Sequence, residues 1–217
     1  CIPGDPTFLA GLRRHCHESG ALLIFDEVMT SRLAPGGAQE SLGITPDLTT
    51  LGKYLAGGFT FGAFGGRRDV MAAFDATSGG RLGHAGTFNN NVVSMAAGVA
   101  TLTNVLSPEV LAATNARGER LRTAVNVAFI RHGVPMSATG SGSLMNVHGT
   151  TGPVGSVADL EASDDRWKEL LFFDALDAGF YIARRGFIAL SIEITDDDVD
   201  AFTVFVDRWA ATITPGV

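Results

Sequence analysis

Hydrophobic residues in this chain fall into two kinds of block, short continuous runs and longer stretches with helical spacing. The run Leu22–Phe25 predicts a strand, as do Leu48–Leu51 and the shorter Gly62–Phe64; each is apolar and bounded by turn residues. Between the first two lies Thr30–Pro46, a turn-rich loop containing Pro35-Gly36-Gly37, of the kind that walls a site at a strand end. Asp5-Pro6, a cap followed by proline at the first helical position, starts a helix ending near Gly20. Arg67–Phe74 predicts a short helix, followed by the glycine-rich Thr77–Gly86. Val92, Val93, Met95, Ala96, Val99, Ala100, Leu102 and Val105 give Asn89–Leu106 the pattern of a helix with a broad apolar face. Small residues at Ala96, Ala97, Gly98 and Ala100 permit another backbone to come close. Ser107-Pro108-Glu109 opens a long helix running to about Arg131, and Gly133 closes it.

The domain boundary is expected inside that long helix, near Asn115, giving domains 1–114 and 115–217. The second half has an α+β pattern. Val134–Thr139, Leu144–His148 and Ile188–Ile192 predict strands, and Asp164–Asp177 and Thr195–Ala211 predict helices. The triplet Asp196-Asp197-Asp198 looks like a metal site. It suits better the first turn after a Thr195 cap, where carboxylates complement the helix dipole.

Composition excludes several classes. The 46% hydrophobic and 18% charged fractions are those of a soluble globular protein. No apolar run reaches the roughly 18 residues of a membrane span. A net charge of −7 disfavours nucleic acid as a partner, for which a basic stripe is expected. Cys1 and Cys16 form neither a disulfide framework nor a zinc pattern, so a cytoplasmic location is the simplest expectation.

Two residues carry the candidate chemistry. The stretch Asp47-Leu48-Thr49-Thr50-Leu51-Gly52-Lys53 delivers one lysine from a strand to a glycine-rich turn, and Leu22-Leu23-Ile24-Phe25-Asp26 delivers an aspartate from another. The apolar run before Asp26 predicts a buried parallel strand. Ligands of open α/β sheets bind beyond the carboxyl ends of strands, where both residues would stand. A lysine amine forms an imine with an aldehyde cofactor. A buried carboxylate that keeps a ring nitrogen protonated is its partner in pyridoxal 5′-phosphate (PLP) sites. Each residue alone has an ordinary explanation, as a solvated loop lysine or a turn aspartate.

The segments LLIFDEVMTSR, PDLTTLGKYLAGGFTFGAFGGRRDVM and HAGTFNNNVVSMAAG resemble the core of class III aminotransferases, in the group holding glutamate-1-semialdehyde aminomutase and β-phenylalanine aminotransferases. The resemblance runs from about Pro3 to the C-terminus. It implies a partial PLP fold-type I large domain, a mostly parallel sheet with helices, followed by a small α+β C-terminal domain. By the same resemblance Asp26 pairs with the pyridine nitrogen, Val28 packs on the ring, Lys53 forms the Schiff base, and Thr87 reaches the cofactor phosphate across a dimer interface. The implied partners are an amino donor, a keto-acid acceptor and a second copy of the chain. Family members are longer at the N-terminus, where they carry a phosphate loop and a stacking aromatic residue. The chain starts Cys1-Ile2-Pro3-Gly4 and is expected to be a C-terminal portion.

Gly86-Thr87-Phe88-Asn89 precedes a helix, so backbone N–H groups there could receive an anion; an ordinary cap is the alternative. Arg184-Arg185-Gly186-Phe187 resembles the carboxylate-gripping element of the β-amino-acid group, with Arg185 as the candidate and bidentate recognition as its chemistry. His84 lies near Thr87 and shares its candidacy, whereas His132 and His148 default to structural roles. His15-Cys16-His17 cannot converge on one ion from a helix, because successive residues point about 100° apart. The GTFNNN and RGF elements favour an aminotransferase for β-amino acids. An aminomutase using the same lysine, and a non-catalytic folding or dimerisation fragment, stay open.

Overall fold

A computed structural model describes residues 1–213. They divide into two compact units, Pro6–Leu111 and the residues from Ala112 onward together with Cys1–Asp5.

In the first unit, helix α1 (Pro6–Ser19) starts on its proline and ends where Gly20 turns at φ +71°. Strand β1 (Ile24–Asp26) pairs in parallel with β2 (Leu48–Gly52), Asp26 opposite Thr50. Strand β3 (Gly62–Gly66) pairs antiparallel on the other side of β2, so β1 forms one edge of a three-stranded sheet. The short helix α2 (Ala38–Leu42) lies in the loop between β1 and β2, and α3 (Arg68–Met71) follows β3.

Asp47 ties these pieces together just before β2. It accepts from the Leu23 amide at 2.8 Å, Arg13 Nη1 at 2.8 Å and Arg67 Nη1 at 2.7 Å, and it is buried. The Arg67 hydrogen bond, then the Leu23 amide, then Arg13 hold its carboxyl well below the usual carboxylate range. Gly66 is needed opposite, since a β-carbon there would stand 2.1 Å from the Asp47 carbonyl.

Two expectations change here. Strand β1 is parallel, but Leu22 is 46% and Ile24 54% exposed, so it is not the buried strand its composition predicts. An edge position leaves its outer side uncovered within this unit. Helix α4 (Val92–Asn104) carries the expected apolar residues, yet only Ser94 and Gly98 are buried. Gly98 makes the close contact foreseen for the small residues, against the Leu55 carbonyl, while Val92, Val99 and Leu102 face outward.

Helix α5 (Pro108–His132) belongs to the second unit from Ala112 onward, and there its Leu121, Val125, Ala128 and Phe129 repeat at helical spacing and are buried. An antiparallel sheet runs β4 (Ser137–Ser141), β5 (Leu144–His148) and β6 (Phe187–Ala189). Helix α6 (Arg166–Asp177) buries Leu171 and Ala175, and α7 (Asp196–Thr212) buries Val199, Phe202, Val206 and Trp209. The Trp209 indole donates to Asp174 at 2.7 Å, so its N–H enters the core satisfied.

Polar residues of α5 place the β4–β5 hairpin. Asn126 donates to the Ala138 carbonyl and accepts from its amide, at 2.9 and 2.8 Å, as a neighbouring strand would. Asn115 accepts from the Ser143 amide at 2.9 Å. At α7 a capping box forms, Thr195 accepting from the Asp198 amide while Asp198 accepts from the Thr195 amide. The aspartate triplet is therefore a helix start. Among the described residues no three His, Cys, Asp or Glu side chains gather as a metal site, and no single helix is long and apolar enough to cross a membrane.

Candidate active site

Parallel pairing of β1 and β2 brings Asp26 and Lys53 out at the same end of the sheet. Asp26 Oδ1 accepts from Thr50 Oγ1 at 3.0 Å and from the Val28 amide at 3.1 Å. Among the described residues Oδ2 has no partner, which leaves one carboxylate oxygen facing outward for a further donor. Asp26 is exposed rather than buried, for the same reason that β1 is: it ends an edge strand. Val28 turns back over the sheet, its methyl carbons 3.6 and 3.7 Å from where a Gly52 β-carbon would stand.

Lys53 follows Gly52 directly and has φ +56°, one of two non-glycine residues with positive φ among those described. Left-handed backbone at a residue with a long side chain is uncommon and gathers at functional positions. Here it ends β2 abruptly and starts the single turn Lys53–Ala56. The Lys53 amine lies 2.6 Å from Met29 Sδ, on the segment leaving β1. One residue on, the Tyr54 hydroxyl is 3.0 Å from Ser31 Oγ and its ring lies under the Arg32 guanidinium, 5.8 Å from the centroid. The segment 29–32 thus touches both Lys53 and Tyr54.

Strand alternation puts Glu27, Thr49 and Leu51 on the face away from Asp26 and Thr50. A cavity of about 410 Å³ opens there, with Glu27, Thr49, Leu51 and Tyr54 in its wall. Neither Asp26 nor Lys53 is in its wall.

Thr87 sits exposed in the turn Thr87–Asn90. Helix α4 starts only at Val92 rather than directly after Gly86–Asn89, and its first amides, Val93 and Ser94, donate to the Asn91 side chain at 3.0 and 3.1 Å. Asn91 is the cap, and Thr87 stands four residues ahead of it. His84 packs edge-on against Phe64, centroids 5.2 Å apart, which gives it a packing role.

In the second unit the two arginines part company. Arg184 donates to Glu169 at 3.0 Å and covers the Phe173 ring. Arg185 is exposed, stacks over Phe187 at 5.5 Å and is paired with no carboxylate among the described residues. His132 finds Asp207 at 3.0 Å. His148 is buried against Thr139, and burial chiefly lowers its pKa to about 4, keeping it neutral.

Sequence reasoning missed Thr50, Met29 and Glu27. Thr50 carried a signal, since it lies on the lysine's own strand and parallel register sets it opposite Asp26. Met29 and Glu27 carried none, because their contacts are made by chain reversal.

The chain matches the family of class-III aminotransferases over residues 1–200. A beta-phenylalanine transaminase from Variovorax paradoxus is 54% identical over 95% of this chain and 47% of its own length. A glutamate-1-semialdehyde 2,1-aminomutase from Limosilactobacillus reuteri is 38% identical over 92% of this chain and 46% of its own. The solved structure of a beta-phenylalanine aminotransferase from Variovorax paradoxus superposes with a TM-score of 0.93 at 53% identity, covering 96% of this chain and 48% of that one. The chain spans about half the length of the relatives it matches, and its architecture is that part of a fold-type I transaminase. A lysine and an aspartate on adjoining parallel strand ends, in a sequence matched almost throughout, place this chain in the class-III aminotransferase family.

Proposed function

We propose that the protein carrying this chain is a PLP-dependent aminotransferase that moves an amino group from a β-amino acid or related amine to a keto acid. The observation that carries the reading is the emergence of Lys53 and Asp26 from neighbouring parallel strands at one sheet end. The residues present fit the cofactor: a primary amine on a strained turn, a carboxylate with one oxygen uncommitted among the described residues, and an apolar Val28 packed by Gly52. The 54% identity to a beta-phenylalanine transaminase supports the substrate class.

When bound, PLP supplies an aldehyde for imine chemistry and a ring that accepts electron density. Lys53 Nζ would hold it by an imine bond and, as the free amine, would carry the proton from the substrate carbon bearing nitrogen to the cofactor carbon that the nitrogen joins. Such general acid–base help contributes about 10²–10⁴-fold. Asp26 would keep the ring nitrogen protonated, its carboxylate fixed by Thr50 and the Val28 amide through Oδ1. Val28 covers one ring face. Thr87 serves the phosphate of a neighbouring copy in a homodimer, a role that requires the exposure it has. Arg185, exposed and unpaired with acid among the described residues, receives the substrate carboxylate.

In the full-length protein, Lys53→Ala abolishes keto-acid-dependent transamination, measured with a β-amino acid as donor. Turnover near that of the wild type overturns the reading. Wild-type turnover that needs no external acceptor indicates the aminomutase instead.

A further inference from the structure

Glu27 follows Asp26 immediately, yet it points to the other face and is 1% exposed. A buried carboxylate costs several kcal/mol unless its oxygens are satisfied. Here they are. Thr30 Oγ1 donates to Oε2, the Ala38 amide donates to Oε2 at 2.9 Å, and the Gln39 amide donates to Oε1 at 2.8 Å. The Ser31 amide donates to the Glu27 carbonyl at 2.9 Å. Gly37 passes so close, at φ +79°, that a β-carbon would stand 2.8 Å from the carboxylate. One side chain therefore pins both ends of the loop between β1 and α2. The near end of that loop is the segment that touches the lysine: Met29 Sδ meets Lys53 Nζ, and Ser31 meets the Tyr54 hydroxyl.

We propose that Glu27 is a positioning residue, its buried carboxylate holding segment 29–32 so that Met29 and Ser31 set where the Lys53 amine and the Tyr54 ring stand. The role rests on the reading of Lys53 as the PLP lysine. Asp26 and Glu27 then divide the work of one strand end, Asp26 facing the cofactor and Glu27 fixing the loop from behind. A glutamine cannot replace the acid. Its single oxygen can serve one backbone amide, and its NH₂ group would face the other, donor to donor.

The test uses the full-length protein and two variants, Glu27→Gln and Ser31→Ala. The second cuts the link to Tyr54 and leaves the buried carboxylate's bonds intact. PLP is added, borohydride reduces the imine to a secondary amine, and peptide mapping follows the rate at which Lys53 is labelled. Trypsin cleavage after Arg32, far below the melting temperature, reports the loop. For Glu27→Gln the expected results are cleavage about tenfold faster and Lys53 labelling about tenfold slower, the weight of one hydrogen bond to a buried charge. Ser31→Ala should slow labelling to a smaller extent. Labelling at the wild-type rate in folded Glu27→Gln overturns the proposal, whatever the change in melting temperature. If Glu27→Gln does not fold, unaltered labelling in Ser31→Ala overturns it. Wild-type protein that is not labelled at Lys53 overturns the PLP reading and this role together.

Discussion

Arg184 and Arg185 have the same chemistry and adjacent positions, and the fold gives them different tasks. Arg184 pairs with Glu169, while Arg185 rests on the Phe187 ring and meets no carboxylate among the described residues. We expect Arg185→Ala in the full-length protein to raise KM for a carboxylate-bearing donor by about tenfold or more, the usual weight of a charged hydrogen-bonded pair. An amine donor without a carboxylate should be little affected, and equal losses with both donors would remove the assignment. Lys53 and Asp26 were readable as a pair because each ends an apolar run, which is a local pattern. Glu27 was not, since nothing in its neighbourhood announces that Ala38 and Gln39 return to bond it. Arg184's pairing was hidden likewise, its partner lying 15 residues away on α6.

Helix boundaries followed the caps. The Thr195 start of α7 was foreseen from one threonine and the acids behind it, and the structure adds the reciprocal Asp198 bond. Thr195→Ala should cost about 1 kcal/mol, read as a lower urea midpoint in the full-length protein, with Thr195→Ser restoring most of it. A midpoint unchanged in Thr195→Ala would show that the box adds nothing to α7. The sequence pattern starts α4 at Asn89, too early, because three consecutive asparagines are locally equivalent caps. Geometry selects Asn91, while Asn90 takes the left-handed backbone at φ +54°. The apolar face of α4 was read correctly and its burial was not, because periodicity reports which residues share a face and not what covers it.

At the scale of the whole molecule, long-range charge holds what local patterning cannot. Asp47 joins α1, the entry to β1 and the exit of β3 through Arg13, Leu23 and Arg67. Its folded pKa is depressed, so its contribution is fully present above the unfolded carboxylate value and is lost as pH falls toward the folded one. Thermal melts should therefore show the wild type well ahead of Asp47→Asn near neutrality, the gap closing below about pH 4. A gap that stays constant on acidification would exclude this linkage. The amino-acid sequence alone determined which stretches form strands and helices, the Thr195 cap, the candidacy of a lysine beside an aspartate and the family resemblance, because each is written in residues close together in the chain. Only the tertiary structure decided that β1 stands at an edge of this chain's three-stranded sheet, that Glu27 is the buried acid while Asp26 is exposed, and that Arg184 pairs with Glu169 while Arg185 meets no carboxylate among the described residues. Those outcomes depend on which distant segments meet, and hydrogen bonds closed across 11 to 34 residues leave no periodic trace in the sequence.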